Sequence, residues 1–389
     1  MPIPSRYIVF FCLILFSCSD TPEPQVTTSV TQADEIMSYP IPSCPGQFFC
    51  ILSHQFASVR YTPANSFPAA FGASASWGDR VYFAGGHEEG SIGFAMADVN
   101  VFVISQEKWY HTLLSVPRSH LAGASAGDKV LFAGGTNISS MNPVYGHAPL
   151  EYYDMVEIFD AKYHIKSATG HLSEKRAYLA TVSTTTKAYF IGGKTLEGFS
   201  SKMDVYDAEQ NTWTVVEMPR ARGHAAAVSV SEKIYVFGGQ GDSEKNLTVT
   251  DIYDIQAGEW SSIETPHEHP IAAGIALDDR IFMAGGDGKS NTAVDIYNTV
   301  DGTWRVANLS DSRYDIAVAA AGNKIIFFGG AFSHDVDVYD QTRDSWSVAT
   351  LSDGVTGVAA ATANNQCFFM AFLYNSGNSL TNSMISILP

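Results

Sequence analysis

The most constraining feature of this 389-residue chain is a set of six Gly-Gly pairs at nearly even spacing. Successive pairs lie 44 to 58 residues apart and begin at Gly85, Gly134, Gly192, Gly238, Gly285 and Gly329. A sequence period of this size indicates a propeller or a solenoid, in which each repeat forms one small structural unit. The spacing therefore constrains the fold before any single side chain is interpreted.

Each Gly-Gly pair ends a run of four apolar residues, such as residues 234–237 and 325–328. Short β-branched and aromatic runs bounded by turn residues predict buried strands. A second predicted strand follows, with a Tyr-Asp type pattern at residues 204–207, 251–254, 295–298 and 337–340 and a variant at 157–160. A tryptophan stands six residues beyond four of these strands, at Trp213, Trp260, Trp304 and Trp346, and we assign Trp109 to the same place in the second unit.

An apolar strand, Gly-Gly, a Tyr-Asp strand and then Trp is a pattern that resembles the kelch-repeat β-propeller family. The resemblance covers roughly residues 56–389. It implies an all-β fold of four-stranded antiparallel blades around a central axis.

The repeat predicts seven blades, with six as the alternative. Trp213, Trp260 and Trp304 each lie 25 residues before the next Gly-Gly pair, and the same step from Trp346 leads to Ala371, just after the apolar residues 367–370. A seventh unit therefore exists and has lost its glycines. The chain ends one strand short, so we predict that a strand near residues 56–61 completes the last blade and closes the ring, which removes exposed sheet edges.

Residues 1–17 are a predicted signal peptide. Arg6 supplies its basic start, and residues 8–16 form an apolar segment too short to span a bilayer. Residues 15–18, Leu-Phe-Ser-Cys, resemble a bacterial lipobox, which implies cleavage before Cys18 and lipidation of that cysteine. The alternative is an ordinary signal peptide cut near Ser17 or Ser19. Either way we expect export to the periplasm or cell surface, with residues 18–55 as a flexible tether and lead-in.

The remaining cysteines are assigned structural roles, and the net charge limits the classes of partner. Cys44 and Cys50 lie close together in an exported chain, so we predict a local disulfide between them. Cys367 falls in an apolar strand and is predicted to be a small core residue. The net charge of −17 argues against nucleic acid and against anionic membrane surfaces. The lipid is therefore the only membrane attachment that we predict, and we expect a monomer.

A second periodic feature lies sixteen residues before the Gly-Gly pairs. Arginine takes this position in four units, at Arg118, Arg176, Arg222 and Arg313. His269 replaces it in the fifth unit, Ala69 in the first and Val355 in the seventh. Two residues further on stand His120, Tyr178, His224 and Asp315. In the family that the chain resembles, these loops and the loops after Gly-Gly form one mouth of the channel, so these side chains are expected to converge.

Four arginines in an acidic protein predict an anionic ligand, because the guanidinium fork matches carboxylate or phosphate groups. The alternative is that arginine here belongs to the general kelch pattern and pairs with loop acids or backbone carbonyls. The predicted ligand-binding set is Arg118, Arg176, Arg222, Arg313, His269, His120, His224 and His87, the last from the loop after the first Gly-Gly pair.

The sequence gives no support for a metal site or a cofactor. A copper-radical oxidase of the galactose oxidase type needs a cysteine near the axis, and no mature cysteine lies in the mouth loops. The stretch His267-Glu268-His269 is too short to supply a whole coordination shell. Phosphate-binding loops, nucleophile elbows and zinc-protease helices are missing from the sequence.

Three functions fit these patterns. The first is a non-catalytic cell-envelope lipoprotein that binds a protein or an anionic glycan through an arginine-lined mouth. The second is a sugar mutarotase similar to periplasmic kelch enzymes acting on sialic acid, in which one arginine holds a carboxylate and Glu88, Glu89, Asp287 or Glu268 serves as acid or base. The third is a structural envelope protein without a small ligand.

Overall fold

The structure of the protein is a computed structural model that describes residues 34–35, 58–63, 72–87, 95–137, 150–242, 246–286, 291–330, 333–374 and 380–388. The predicted signal peptide, Cys18, Cys44, Cys50 and all of the predicted tether except residues 34–35 lie outside these residues. The described part contains strands β1 to β28 and one 3-10 turn at Ile104–Gln106. No helix in it is long and apolar enough to cross a membrane.

Two strands precede the first blade, namely β1 (Asp34–Glu35) and β2 (Ser58–Pro63). Blade 1 then consists of β3 (Ala73–Trp77), β4 (Arg80–Ala84), β5 (Asp98–Val103) and β6 (Lys108–Leu113). Blade 2 consists of β7 (Ala122–Ala126), β8 (Lys129–Ala133), β9 (Met155–Asp160) and β10 (Ile165–His171). Blade 3 consists of β11 (Ala180–Ser183), β12 (Lys187–Ile191), β13 (Lys202–Asp207) and β14 (Thr212–Glu217).

The following blades repeat this order. Blade 4 consists of β15 (Ala226–Val230), β16 (Lys233–Phe237), β17 (Val249–Asp254) and β18 (Glu259–Glu264). Blade 5 consists of β19 (Ala273–Leu277), β20 (Arg280–Ala284), β21 (Ala293–Asn298) and β22 (Trp304–Asn308). Blade 6 consists of β23 (Ala317–Ala321), β24 (Lys324–Phe328), β25 (Ser333–Asp340) and the first part of β26 (Ser345–Ala363).

Blade 7 is built from both ends of the described chain. The second part of β26 is its inner strand, followed by β27 (Gln366–Tyr374) and β28 (Leu380–Leu388), and β2 is its outer strand. In the pairing of β2 with β28, Ser58 lies opposite Leu388 and Pro63 opposite Ser383. The predicted seven blades and the closing N-terminal strand are confirmed. Because β26 passes without a break from blade 6 to blade 7, no loop separates these two blades.

The inner strands surround the axis. Each contacts the inner strand of the next blade, and β26 contacts β3, which closes the ring. The main apolar clusters lie between neighbouring blades, as where Tyr82 and Val99 of blade 1 pack with Phe132 and Phe159 of blade 2. Stability therefore depends on contacts between blades as well as within them.

The Tyr-Asp strand and the following tryptophan meet within one blade. The ring centroids of Tyr206 and Trp213 lie 5.1 Å apart, and Tyr297 and Trp304 lie 4.8 Å apart. Trp109 pairs in the same way with Phe102 in blade 1, so its assignment to the second unit is wrong. The sequence assignment of Trp109 uses its distance to the following Gly-Gly pair, at Gly134, whereas its strand β6 pairs with β5 of the preceding blade.

Cys367 lies in β27 and is fully buried in an apolar cluster. Burial raises the pKa of its thiol to about 12, so the group stays protonated at neutral pH. The prediction that Cys367 is a core residue is confirmed.

Candidate functional site

The connections of the propeller lie at two ends. Antiparallel pairing puts the connection before the first strand of a blade at the same end as the connection after its second strand. We call this end the mouth and the opposite end the base. The base has short turns, such as Gly127–Asp128 between β7 and β8, whereas residues 134–154 separate β8 from β9 at the mouth. Variable, long connections at one end of a rigid scaffold are typical of binding surfaces.

The four predicted arginines lie behind the channel wall. Arg118, Arg176 and Arg222 are 0% exposed, and Arg313 is 1% exposed. Together with His269 we call them the buried ring. Arg176 shows the common geometry, in which Nη1 donates to the carbonyl oxygens of Gly192 at 2.7 Å and Lys202 at 2.6 Å. Its Nη2 donates to the carboxylate of Asp204 in β13.

The same three partners recur in the other arginine blades. Nη1 reaches the carbonyl oxygen of the first glycine of the Gly-Gly pair, at Gly134, Gly238 and Gly329. Nη2 pairs with a buried acid of the third strand, at Glu157, Asp251 and Asp337. Burial lowers the pKa of each arginine, and the neighbouring carboxylate opposes this shift. Each cation therefore links the loop before the first strand of its blade to the end of the second strand and to the third strand.

In blade 5 a histidine ring replaces the guanidinium. Nδ1 of His269 lies 3.1 Å from the carbonyl oxygen of Gly285, and Nε2 lies 3.2 Å from Oδ2 of Asp295. His267 also contacts Asp295, through Nδ1 and its backbone N–H. Burial raises the pKa of Asp295, but the hydrogen bonds from His269 and His267 outweigh it and hold the pKa below its ordinary value.

The two remaining blades lack both members of the ion pair. In the third strand, Asn100 of blade 1 and Ile385 of blade 7 occupy the register positions of the acids. Blade 1 has Ala69 at the arginine position, and blade 7 has Val355, which packs in one apolar cluster with Ile385. A buried ion pair can be replaced by apolar residues without loss, whereas a single unpaired charge is costly. The cation and the acid therefore vary together, as expected for partners within the fold.

These contacts place the predicted arginine series inside the protein. A ligand in the channel could reach the guanidinium groups only after the wall residues had moved. Binding of an anion by the arginines and His269 stays a prediction, and the pairing with acids and backbone carbonyls that we gave as the alternative describes their observed contacts.

The surface that faces the axis belongs to the residues two positions later. We call this set the axial ring, and it consists of His120, Tyr178, His224, Ile271 and Asp315. Backbone hydrogen bonds link neighbouring blades here, from Tyr178 N–H to the His120 carbonyl at 3.1 Å and from His224 N–H to the Tyr178 carbonyl at 3.2 Å. His120, Tyr178, His224 and Asp315 have φ values between 52° and 58°. Residues other than glycine rarely adopt this left-handed backbone conformation, and such backbone strain is frequent at functional sites.

Three aromatic rings form an arc in the axial ring. The centroids of His120 and Tyr178 lie 4.3 Å apart, those of Tyr178 and His224 lie 4.2 Å apart, and His87 lies 6.1 Å from His120. Burial lowers the pKa of His120 to about 3 and those of His87 and His224 to about 4. All three imidazoles are therefore neutral at pH 7.

A cavity of about 310 Å³ opens at the axis. Its lining combines apolar side chains with three polar groups, from His120, Tyr178 and Asp315. Desolvation by burial raises the pKa of Asp315 to about 6, so the carboxyl is mostly ionised at pH 7. This volume lies at the lower end of the range for small-molecule sites, and a titratable group with a shifted pKa in a cleft is a typical mark of function.

Of the predicted site residues, the structure brings His87, His120 and His224 together near the axis. Asp315 was noted in the same series but was not assigned a role, although it is the only acid at that position of the repeat. Among the predicted acid and base candidates, Glu268 accepts a hydrogen bond from Nδ2 of Asn246 at 2.8 Å, and Glu88, Glu89 and Asp287 lie outside the described residues. Within the described ranges, no cluster of three or more His, Cys, Asp or Glu could hold a metal ion.

Comparisons with known proteins agree with this architecture. A profile described as the KLHDC2/KLHL20/DRC7 Kelch-repeats domain matches residues 72–273 and 179–371. A solved structure described as "Structure of YjhT" superposes with a TM-score of 0.51 at 15% sequence identity, covering 83% of this chain and 95% of that one. At this identity the likeness shows the fold alone. No curated protein sequence matches the chain. The repeats, the blades and the profile match together show that the chain belongs to the kelch-repeat β-propeller family.

Proposed function

We propose that the protein is a non-catalytic binding module of the cell envelope that takes a protein partner at its mouth. The kelch propeller supports a protein-binding module in general. The observation that carries the proposal is the unequal distribution of connections, which are long at the mouth and short at the base. A rigid ring with its longest loops at one end presents a single broad contact surface.

Exposed apolar side chains at the mouth add support. Leu150, Leu196 and Tyr314 belong to mouth connections and are 43%, 66% and 36% exposed. A tyrosine at the centre of a contact surface is a frequent anchor in protein interfaces. We therefore expect the partner to cover Tyr314 and the adjacent axial cavity.

Site-specific photocrosslinking tests this proposal. A benzoylphenylalanine placed at Tyr314 or Leu196 is expected to capture the same partner in intact cells. The control position is Val300, which is 76% exposed in the turn between β21 and β22 at the base. Equal crosslinking from Val300, or none from either mouth position, would overturn the proposal.

Attachment to the membrane through Cys18 is part of the same proposal. A Cys18→Ser variant is expected to lose incorporation of an alkyne-labelled fatty acid and to leave the membrane fraction. Cys12→Ser is the matched control, because Cys12 lies in the predicted signal peptide. Absence of labelling in the parent protein would favour the alternative of an ordinary signal peptide, which leaves no lipidated cysteine, and unchanged labelling of Cys18→Ser would overturn attachment through Cys18.

One observation favours a second candidate, a sugar mutarotase or isomerase. Asp315 combines a raised pKa with a position in a small cavity beside Tyr178 and His120, which suits a general acid or base. NMR measurement of anomer exchange in acidic and neutral sugars tests this candidate. Faster exchange that disappears in Asp315→Asn would support an enzyme, and exchange at the uncatalysed rate would exclude the sugars tested.

A further inference from the structure

The axial cavity contains one formally charged side chain. Its lining residues are apolar or neutral except for Asp315, whose carboxyl makes no hydrogen bond or ion pair within the part of the chain that the structure describes. The half-buried position of this group reduces its contact with water. A desolvated carboxylate without a partner is unfavourable, and a bound cation relieves this cost.

The arginines near the cavity are already engaged. Arg313 stands two residues before Asp315, but its guanidinium pairs with Asp337 and with backbone carbonyls. The other three arginines likewise have their own acids. The buried ring therefore does not neutralise Asp315, and an anion entering the cavity would be repelled by its carboxylate.

The remaining wall suits a cation as well. Tyr178 stands between His120 and His224 in the aromatic arc, and burial raises the pKa of its phenol, so the ring is uncharged. The electron-rich face of a tyrosine attracts an ammonium group, most strongly where water is excluded. Apolar atoms of Leu179 and Ile271 can contact the methylene groups of an alkylamine.

We propose that the axial cavity binds a protonated alkylamine, with the Asp315 carboxylate as its counter-ion and the ring of Tyr178 against its charged end. The cavity volume of about 310 Å³ has room for one amine-bearing chain. The amine has two possible sources, a free small molecule or a lysine side chain of a protein partner. The inference rests on the proposed function, because it specifies what the mouth recognises.

Titration calorimetry with the whole protein tests the proposal. The probes are n-butylammonium, the blocked amino acid Nα-acetyl-lysine methylamide and its uncharged norleucine analogue. We expect at least one of the two amines to bind and the norleucine compound not to bind. Binding of both amines identifies a small amine as sufficient, and binding of the lysine compound alone identifies the side chain of a protein.

Two variants connect binding to the cavity. Asp315→Asn keeps the size of the side chain and is expected to weaken amine binding by about tenfold or more, as for loss of a charged hydrogen bond. Tyr178→Leu keeps an apolar wall and is expected to weaken it by about fivefold. The control is Asp242→Asn, which removes the same charge from an exposed residue that does not line the cavity.

Amine binding that is unchanged in Asp315→Asn would overturn the inference, as would absence of binding by both amines. Equal weakening in Asp242→Asn would also overturn it, because the effect would then come from net charge. Failure here is distinguishable from failure of the proposed function. If amine binding fails but a partner is still crosslinked from Tyr314 in both the parent and Asp315→Asn, the amine proposal is wrong and the proposed binding module still stands.

Discussion

The buried ring and the axial ring occupy positions only two residues apart in the same repeat, yet they follow opposite rules. In the buried ring nearly the same side chain returns from blade to blade, and every charge has a partner. In the axial ring the side chain changes at every blade, and Asp315 has no counter-ion in the described structure. The regular positions of the repeat therefore hold the paired charges of the fold, and the irregular positions place different side chains around the axis.

The buried ring tolerates blades that lack the arginine when the acid is replaced as well. Blade 7 replaces the cation and the acid together by Val355 and Ile385, which keeps its interior free of unpaired charge. The axial ring shows no such compensation at Asp315. If Asp315 serves the proposed binding site, its unsatisfied carboxyl lowers stability in exchange for function, which is a common trade-off in proteins.

The largest expected effect is the loss of one partner in the buried ring. Arg176→Leu leaves the buried Asp204 carboxylate without its cation and is expected to lower the free energy of unfolding by about 3–5 kcal/mol. The double variant Arg176→Leu/Asp204→Leu has apolar residues at both positions, as blade 7 does, and should recover most of that loss. Denaturant unfolding measures both, with exposed Lys175→Ala as control. A single-variant loss below about 1 kcal/mol would refute the structural role of the ring.

The next effect concerns the first glycine of a Gly-Gly pair. Gly192 has a φ of 59°, and a Cβ there would lie 2.3 Å from the carbonyl oxygen of Arg222 in the next blade. Gly192→Ala is expected to lower the free energy of unfolding by about 2–4 kcal/mol, from backbone strain and overpacking together.

The matched control for this glycine is Gly78→Ala. Gly78 has a φ of 55°, but a Cβ there would meet no atom within 4 Å. Its expected loss is about 1–2 kcal/mol, from backbone strain alone. Similar losses for the two variants would show that close approach between blades does not require Gly192.

The smallest expected change in the free energy of unfolding is for His267, the exposed partner of Asp295 in blade 5. His267 is 44% exposed, and its Nδ1 lies 2.7 Å from Oδ1 of Asp295. His267→Ala is expected to lower the free energy of unfolding by less than about 1 kcal/mol at pH 7. Because the pKa of Asp295 is held below 3.8, its contribution is present above that pH and is lost as the pH falls. Unfolding curves of His267→Ala and the parent protein at pH 5 and pH 2.5 test this, because the contribution is lost only below the ordinary pKa of 3.8, and a loss that did not shrink at pH 2.5 would contradict it.

Much of the fold could be predicted because its signals are local and repeated. The Gly-Gly period predicted the blades, and the step from Trp346 predicted a seventh blade without glycines. Closure by β2 followed from counting strands. The position of Trp109 was wrong because a one-dimensional count does not show which side of a loop a strand joins.

The roles within the site were harder to predict. The spacing of arginine to Gly-Gly places Arg118 and His120 in one loop, but it does not show which of them faces the axis. A signal for the buried role was present, because the acids Asp204, Asp251, Asp295 and Asp337 begin the recognised Tyr-Asp pattern. Their disappearance from blades 1 and 7 together with the arginine indicates pairing. The proposed role of Asp315 depends on its desolvation and on the lack of a hydrogen-bond or ion-pair partner among the described residues, which are properties of the assembled ring.

The most direct test of this account is the unfolding free energy of Asp315→Asn compared with the parent protein at pH 7. Folding raises the pKa of Asp315 from 3.8 to about 6, so its contribution to stability falls as the pH rises through this window and stays low above it. The buried imidazoles of His87, His120 and His224 have the opposite pH dependence, and the comparison at one pH cancels them.

We predict that Asp315→Asn raises the free energy of unfolding at pH 7 by about 1–3 kcal/mol, and that the gain shrinks as the pH falls toward 4. The change in the free energy of unfolding would then have the opposite sign to that of Arg176→Leu. This is expected if the buried ring stabilises the fold and the axial ring forms the binding site. A loss of stability in Asp315→Asn at pH 7 would contradict the account, because it would show that the carboxylate is a structural partner like those of the buried ring.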